Sequence, residues 1–198
     1  MIKFINNSKD EPFNILRDRY NEALSSGQKS IEALAISSFS RADNEVDSRF
    51  VNLKIVDGRE FIFFSNYKSP KSLSFSSHDQ ISALLYWNKI NVQIRIKAKI
   101  KRTPKEFNNE YFKHRSHEKN ALAISSDQSK KIISYEKIVE NFNNAKTGED
   151  LTKCPNYWGG FSFEPYEIEF WKGHNYRLNK RDHYKRNLGR WEHSILEP

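Results

Sequence analysis

The sequence has a single cysteine, Cys154, among its 198 residues. One cysteine excludes a disulfide within the chain and a thiolate metal cluster built by one chain. No segment approaches the roughly 18 consecutive apolar residues that a membrane-spanning helix needs, and the N-terminus lacks the apolar run of a signal peptide. We therefore expect a cytoplasmic protein with no membrane partner.

The motifs of protein-only catalysis are also missing. There is no HExxH, no GxSxG and no cysteine with a suitably spaced histidine. No glycine-rich loop follows a strand, which argues against a Rossmann domain. His114 and His117 are typical of a solvated surface, so no metal site is predicted. These absences favour a reaction whose difficult step is carried by a bound cofactor.

Positive charge is in excess. Lys and Arg number 33 against 25 Asp and Glu, which gives a net charge of +8. Such a balance attracts anions, either nucleic acid or small phosphorylated ligands. The cations are spread along the chain rather than gathered in one arm, so a small phosphorylated ligand is favoured and no nucleic-acid partner is expected.

The apolar pattern predicts a series of strands with helices between and around them. Residues 1–10 are expected to be a flexible polar segment before a single domain over residues 11–198. Helices are predicted at 10–27, 67–77, 103–114 and 132–142, and strands at 31–39, 46–56, 61–65, 81–87, 92–100, 161–171, 176–184 and 190–195.

Three local signals support this organisation. Residues 92–100 alternate strictly between apolar and polar side chains, as a strand with one buried face requires. Asp57-Gly58 predicts a tight hairpin with positive φ at both central positions. The run 103–106 has the capping-box pattern that starts a helix. Together they predict an α+β fold built on a small antiparallel barrel.

Several cations lie at the ends of predicted strands. Arg49 and Lys54 are five residues apart, so they should lie on opposite faces of one strand and meet different anions. Arg177 and Arg181 are four apart in a strand-like run and should share a face. Any one of these cations alone is more typical of a solvated surface than of a binding site.

Ordered motifs from about residue 11 to residue 198 carry a family resemblance. The C-terminal run YWGGF at 157–161, then IEFW at 168–171 and Arg177-Leu178, resembles the C-terminal signature of pyridoxamine 5′-phosphate oxidases. RFVNLK at 49–54 is similar to that family's R-x-V-L-L-K strand. The runs at 64–66 and 69–71 resemble its Y-T-N…S-R-K segment.

The resemblance implies a dimeric FMN-binding split antiparallel β-barrel with flanking helices and with FMN in a cleft between two subunits. Arg49 and Lys71 would hold the FMN phosphate, Gln93 would face the polar edge of the flavin ring, and Trp171 and Arg181 would come from the other subunit. The complete implied flavin-binding set is Arg49, Phe50, Val51, Asn52, Leu53, Lys54, Phe64, Ser65, Lys71, Gln93, Gln128, Ser129, Trp171 and Arg181.

The resemblance also implies the reaction. Pyridoxamine 5′-phosphate or pyridoxine 5′-phosphate would be oxidised to pyridoxal 5′-phosphate, with O₂ as the acceptor and hydrogen peroxide as the by-product. Arg177 and Asn179 stand at the family's catalytic positions. The implied substrate-binding residues are Lys54, Tyr111, Arg115, Lys119, Arg177 and Asn179.

Three residues depart from the family pattern. Asn179 replaces a histidine, Pro70 replaces an arginine for which Lys68 would compensate, and Lys119 replaces a serine in the phosphate pocket. These departures leave two alternatives open. One is a divergent FMN oxidoreductase acting on another ring compound, as phenazine-pathway relatives do. The other is a protein that binds FMN or pyridoxal phosphate without turnover.

Overall fold

Ten strands and five α-helices make up the computed structural model, which describes residues 1–198. The helices are α1 (Glu11–Ser25), α2 (Pro70–Ser77), α3 (Lys105–Lys113), α4 (His117–Ser125) and α5 (Tyr135–Gly148). The strands are β1 (Lys3–Ile5), β2 (Ala33–Ser40), β3 (Glu45–Asn52), β4 (Ile55–Asp57), β5 (Glu60–Asn66), β6 (Gln80–Trp87), β7 (Val92–Arg102), β8 (Trp158–Lys172), β9 (Lys180–Asn187) and β10 (Arg190–Ile195). No helix is both long enough and apolar enough to cross a membrane.

Strand β8 organises the sheet. It pairs antiparallel with β7 along its length, apart from a register shift at Lys97/Ala98. On its other edge, the first half of β8 pairs with β5 and the second half with β9. Because one edge of β8 serves two different strands, the sheet splits at this point. The β9–β10 hairpin then extends the outer branch.

The segment β3–β4 closes the sheet into a barrel. A single strand was predicted over 46–56, but it is interrupted at Leu53 and Lys54. The Leu53 amide donates to the Glu32 carbonyl (2.9 Å), and the Lys54 amide donates to the Ile62 carbonyl (2.9 Å). One continuous segment therefore leaves its partner β2 and joins β5. This geometry confirms the predicted α+β fold on an antiparallel barrel.

The inward faces of the strands form the core. Strand β7 alternates between buried and exposed residues, as the sequence predicts, and β6 does the same. Helix α1 covers one end of the barrel with Phe13, Leu16 and Tyr20, and the Tyr20 ring meets Trp87 edge-on. The indole Nε1 of Trp87 donates to the Ile31 carbonyl at 3.0 Å, so its one polar group is satisfied.

The two ends of the chain differ from the predictions. Residues 1–10 were expected to be flexible, but Lys3–Ile5 pairs parallel with β4 and Ile2 is buried. The strand predicted over 176–184 starts only at Lys180, because the preceding residues Asn175–Arg177 form a 3₁₀ turn. Apolar residues at the N-terminus thus find a place at the edge of the sheet.

Local details also differ. The hairpin after Asp57 turns at Gly58-Arg59, and only Gly58 has a positive φ, as a type II′ turn requires. The predicted capping box is absent, because the Thr103 hydroxyl donates to Asn108 Oδ1 (2.5 Å). Helix α4, which no sequence signal had predicted, packs against α5.

Gly159 and Gly160 permit close packing between β8 and α3. Asn108 Nδ2 donates to the Tyr67 hydroxyl (3.0 Å), which in turn donates to the Gly160 carbonyl (3.1 Å). A Cβ on Gly159 would lie 2.1 Å from the Tyr67 oxygen, and one on Gly160 would lie 2.5 Å from Thr103 Oγ1. Only glycine leaves room for this hydrogen-bond network.

We expect Gly159→Ala to lower the free energy of unfolding by about 2 to 3 kcal/mol, because the network must move to admit a methyl group. Urea denaturation measures this loss. Gly148→Ala is the matched control: no atom lies within 4 Å of its Cβ position, so its unfolding midpoint should stay close to that of the wild type. Equal midpoints for both variants would contradict the packing role.

Candidate active site

A cavity of about 930 Å³ opens beside the bend between β3 and β4. Because the strand bends at Leu53 and Lys54, both Arg49 and Lys54 face this cavity, and the prediction that they lie on opposite faces is wrong. Leu53 itself is buried in the core. The predicted site residues that line the cavity are Arg49, Phe50, Val51, Asn52, Lys54, Phe64, Ser65, Lys71, Tyr111, Arg115, Lys119, Gln128 and Ser129.

Donor groups converge at one end of this cavity. Arg49 Nη1 donates to Ser38 Oγ (2.9 Å) and more weakly to the Ile36 carbonyl (3.3 Å). Gln128 Oε1 accepts hydrogen bonds from Ser65 Oγ (3.2 Å) and from Lys71 Nζ (3.3 Å). An arginine, a lysine and a hydroxyl side by side form the donor set that a phosphate group prefers.

Lys71 is the most strongly perturbed cation. Its side chain lies at the start of α2, and the residue is only 8% exposed. Burial, the larger cause, and the Arg49 guanidinium together lower the pKa of the ammonium to about 8, while the Asp47 carboxylate opposes the shift. Lys71 therefore carries a charge that the folded protein holds at a cost, and a bound anion would relieve that cost.

Aromatic rings form the wall of the cavity next to this cluster. Phe64 stacks on Tyr111 with ring centroids 3.7 Å apart and on Trp158 at 5.2 Å. The Arg115 guanidinium lies over the Trp158 ring at 4.4 Å. Cation–π contact and stacking fix the plane of Arg115, and a flat apolar wall of this kind suits a planar ring ligand.

The second group of cations lies along this wall. Arg115 Nη2 donates to the Lys119 carbonyl (3.3 Å), while Nη1 is buried without a partner. Burial lowers the pKa of Arg115, although a guanidinium remains protonated at neutral pH. Lys54 pairs with Glu32 at 3.6 Å. An orphaned guanidinium nitrogen in a cavity that Lys54 and Lys119 also line indicates a second place for an anion.

Besides Leu53, three predicted flavin-binding residues lie outside the cavity. Gln93, Trp171 and Arg181 are neighbours on adjacent strands β7, β8 and β9, and they form a row on the outer face of the sheet. Arg181 is held there by Glu169, whose Oε1 accepts from Nε at 2.7 Å. The structure thus gathers these three residues in one place, away from the cavity of the same chain.

Arg177 and Asn179 lie in the turn before β9. Arg177 is exposed in the 3₁₀ turn while Arg181 is in the strand, so the prediction of one shared strand face is wrong. Tyr176 and Arg177 both have positive φ, of 63° and 61°, a strained conformation for residues with a Cβ. Asn179 Oδ1 accepts from the His174 amide (3.1 Å).

The structure also places the three departures. Pro70 and Lys119 line the cavity, whereas Asn179 does not. Lys68 lies over the Tyr157 ring at 5.0 Å and away from the cavity, so the prediction that it compensates for Pro70 is wrong. The Arg49–Lys71 end therefore has two cations, and Lys119 adds a third to the Arg115 end.

Sequence reasoning missed four residues that shape the site: Ser38, Glu32, Asp47 and Trp158. The position of Asp47 in the site could have been predicted from the sequence, because Asp47 is two residues before Arg49 and must share its face of β3. Trp158 had been noted only as part of a motif. Ser38 and Glu32 carry no local signal, since their role depends on which strand lies beside them.

Comparisons with known proteins identify relatives of this chain. The family model of the pyridoxine 5′-phosphate oxidase C-terminal dimerisation region matches residues 158–198. A curated pyridoxine/pyridoxamine 5′-phosphate oxidase of Leptospira biflexa is 32% identical over 182 residues, which cover 90% of this chain and 85% of that protein.

Two solved structures share the fold. PhzG from Burkholderia lata, in complex with tetrahydrophenazine-1-carboxylic acid, superposes with a TM-score of 0.89 and 26% identity, covering 96% of this chain and 93% of that one. A pyridoxamine 5′-phosphate oxidase-related, FMN binding protein from Nostoc punctiforme has a TM-score of 0.78 and 12% identity, covering 92% of this chain and 97% of that one. The split-barrel prediction is confirmed.

We expect Lys71→Met to raise the free energy of unfolding of the ligand-free protein by about 1 to 3 kcal/mol at pH 7, because it removes a buried charge. The folded pKa of about 8 lies below the unfolded value of 10.5. The free-energy cost of keeping Lys71 charged is therefore complete below pH 8 and falls as the pH rises toward 10.5. The stability gained by the variant should fall over the same pH range. Urea denaturation across pH 7 to 10.5 measures it.

Inorganic phosphate supplies the second readout. Phosphate should raise the melting temperature of the wild type but not that of Lys71→Met, since the variant lacks one of the two cations. Lys68→Met, which removes an exposed lysine near the same helix, should respond to phosphate as the wild type does. A phosphate effect that survives in Lys71→Met would exclude this anion site.

Proposed function

Because the chain belongs to the pyridoxine/pyridoxamine 5′-phosphate oxidase family, we propose that it is an FMN-dependent oxidase of phosphorylated vitamin B6 compounds. Its substrates are pyridoxamine 5′-phosphate and pyridoxine 5′-phosphate, its product is pyridoxal 5′-phosphate, and O₂ is the acceptor. The observation that carries the proposal is that one cavity contains two groups of cations and an aromatic wall.

The residues at the Arg49–Lys71 end fit the phosphate of FMN. Two cations lie next to each other there, and the lysine is buried enough for its pKa to fall. A phosphate dianion supplies the charge that this cluster lacks and accepts hydrogen bonds from Arg49, Lys71 and Ser65. When the phosphate accepts the hydrogen bonds of Ser65 and Lys71, the Gln128 amide no longer accepts them and can turn toward the flavin.

The Arg115 end fits the phosphate of the substrate. The unpartnered Arg115 Nη1, the Lys119 ammonium and the Tyr111 hydroxyl offer donors to it. Burial raises the pKa of Tyr111, so its hydroxyl stays protonated and donates a hydrogen bond. Lys54 can also donate to this phosphate once its ion pair with Glu32 opens. These contacts with the phosphate fix the position of the pyridine ring relative to the aromatic wall.

The protein's part in the reaction is positioning. Bound FMN supplies hydride acceptance from C4′ of the substrate and transfer of the electrons to O₂, which gives hydrogen peroxide. Arg177 and Asn179 are proposed to hold the reacting side of the substrate. Asn179 can donate or accept a hydrogen bond, but it cannot titrate near neutral pH as a histidine would.

We propose that the active protein is a homodimer. Gln93, Trp171, Arg181 and Arg177 lie outside the cavity of their own chain, so only a second chain can bring such residues to it. The outer face of the sheet exposes Phe50 and Leu84, which are apolar residues suited to an interface. The matched dimerisation region, 158–198, includes the strands that carry Trp171 and Arg181.

A second substrate class has one specific observation in its favour. A further cavity of about 220 Å³ adjoins the site beyond Arg115 and Lys119, and Leu122 and Ala123 line it. This space could receive a ring system larger than pyridine. A tricyclic aromatic carboxylate, like the ligand of the Burkholderia lata PhzG structure, is therefore the alternative substrate.

The purified protein should be yellow, or become yellow with FMN, and should produce aldehyde and peroxide from pyridoxamine 5′-phosphate under air. Arg177→Ala should retain flavin but lose most turnover, while Arg190→Ala, an exposed arginine on β10, should keep both. Absorbance spectra and a peroxide assay decide this. A protein that stays colourless in excess FMN would refute the flavin proposal, and flavin without B6 turnover would favour the alternatives.

The dimer has its own test. Leu84→Asp places a charge on the outer face of the sheet and should convert a species of twice 23.4 kDa into one of 23.4 kDa, with loss of flavin. Light scattering after size-exclusion chromatography measures the mass. Leu188→Asp, in the exposed turn between β9 and β10, should remain dimeric. A Leu84→Asp dimer with full flavin would exclude this interface.

A further inference from the structure

Asp47 lies in the cavity next to the cation proposed to bind phosphate. It is two residues before Arg49 on β3, so both side chains are on the same face of the strand. A carboxylate oxygen of Asp47 forms an ion pair with Arg49 Nη2. A carboxylate beside a phosphate site is unfavourable for a phosphate ligand, because it adds negative charge where a dianion must bind.

Arg49 does not depend on Asp47 for its position. Its other terminal nitrogen, Nη1, donates to Ser38 Oγ at 2.9 Å, and Ser38 is buried at the barrel wall. The guanidinium therefore stays in the cavity whether or not Asp47 is paired with it. The Asp47 side chain, in contrast, is 66% exposed and free to turn toward solvent.

Asp47 also balances the charge of the ligand-free site. Arg49 and Lys71 repel each other, and the Asp47 carboxylate counters the effect of Arg49 on the Lys71 pKa. Gln128, an uncharged residue, also offsets the Lys71 charge by accepting a hydrogen bond from it. The chain thus provides its own acceptors for the donors that a phosphate would otherwise engage.

We propose that Asp47 is a tethered counter-anion that sets the affinity and specificity of this site for the flavin phosphate. It occupies Nη2 of Arg49 while the site is free of phosphate, and the phosphate must displace it to bind. This inference rests on the proposed function, because it takes the phosphate of FMN as the ligand of Arg49 and Lys71.

Two consequences distinguish this role from a structural one. Asp47 opposes only the phosphate, so it should weaken binding of FMN without changing binding of riboflavin, which has the same ring system and no phosphate. Asp47 should also stabilise the ligand-free protein while weakening the FMN complex. A residue needed only for folding would shift the stability of both states in the same direction.

The test is Asp47→Asn, which keeps the size of the side chain and removes its charge. Fluorescence titration of the full-length apoprotein should show FMN binding roughly 3- to 10-fold tighter than in the wild type, with riboflavin affinity unchanged. Glu45→Gln is the matched control, because Glu45 is on the same strand and does not line the cavity. Its FMN affinity should equal that of the wild type.

Melting temperatures give the second measurement. Asp47→Asn should melt below the wild type without ligand, and saturating FMN should raise its melting temperature by more than it raises that of the wild type. Equal FMN affinities of Asp47→Asn and the wild type would overturn the inference and leave the proposed function standing. A wild type that binds neither FMN nor riboflavin would overturn the proposed function and this inference with it.

Discussion

Arg49 and Lys71 bring two positive charges together in a cavity that shields Lys71 from water, and the chain supplies only one carboxylate, Asp47, to offset them. Two like charges in one cavity are tolerated only where other groups hold the side chains in place. Ser38 and Gln128 do so through hydrogen bonds. The folded protein therefore bears an electrostatic cost in this cavity, and a bound anion would remove it.

The barrel makes this arrangement possible. Arg49 belongs to β3 and Lys71 to α2, and both side chains line the cavity beside the bend at which the chain leaves β2 and continues as β4. The same bend brings Lys54 into the cavity. Gly159 and Gly160 allow α3 to pack closely on β8, which sets Tyr111 against Phe64. Backbone geometry thus decides which side chains share the site.

Sequence alone predicted much of the fold and much of the membership of the site. The alternation of β7 is a local property, and ordered motifs located thirteen of the residues that line the cavity. The bend at Leu53 was not predictable, because alternation does not show where a strand changes partners. For the same reason Arg49 and Lys54 were assigned to opposite faces. The Glu32 and Ser38 contacts depend on neighbouring strands, so no pattern within one segment reveals them.

Strand β8 sets the distance between two tryptophans. It carries Trp158 against the cavity at one end and Trp171 on the outer face near the other, thirteen residues further along. At about 3.3 Å per residue the two indoles are on the order of 40 Å apart along the strand. Trp171 therefore lies well away from the cavity of its own chain, beside Gln93 and Arg181, at a distance from Trp158 that the strand itself fixes.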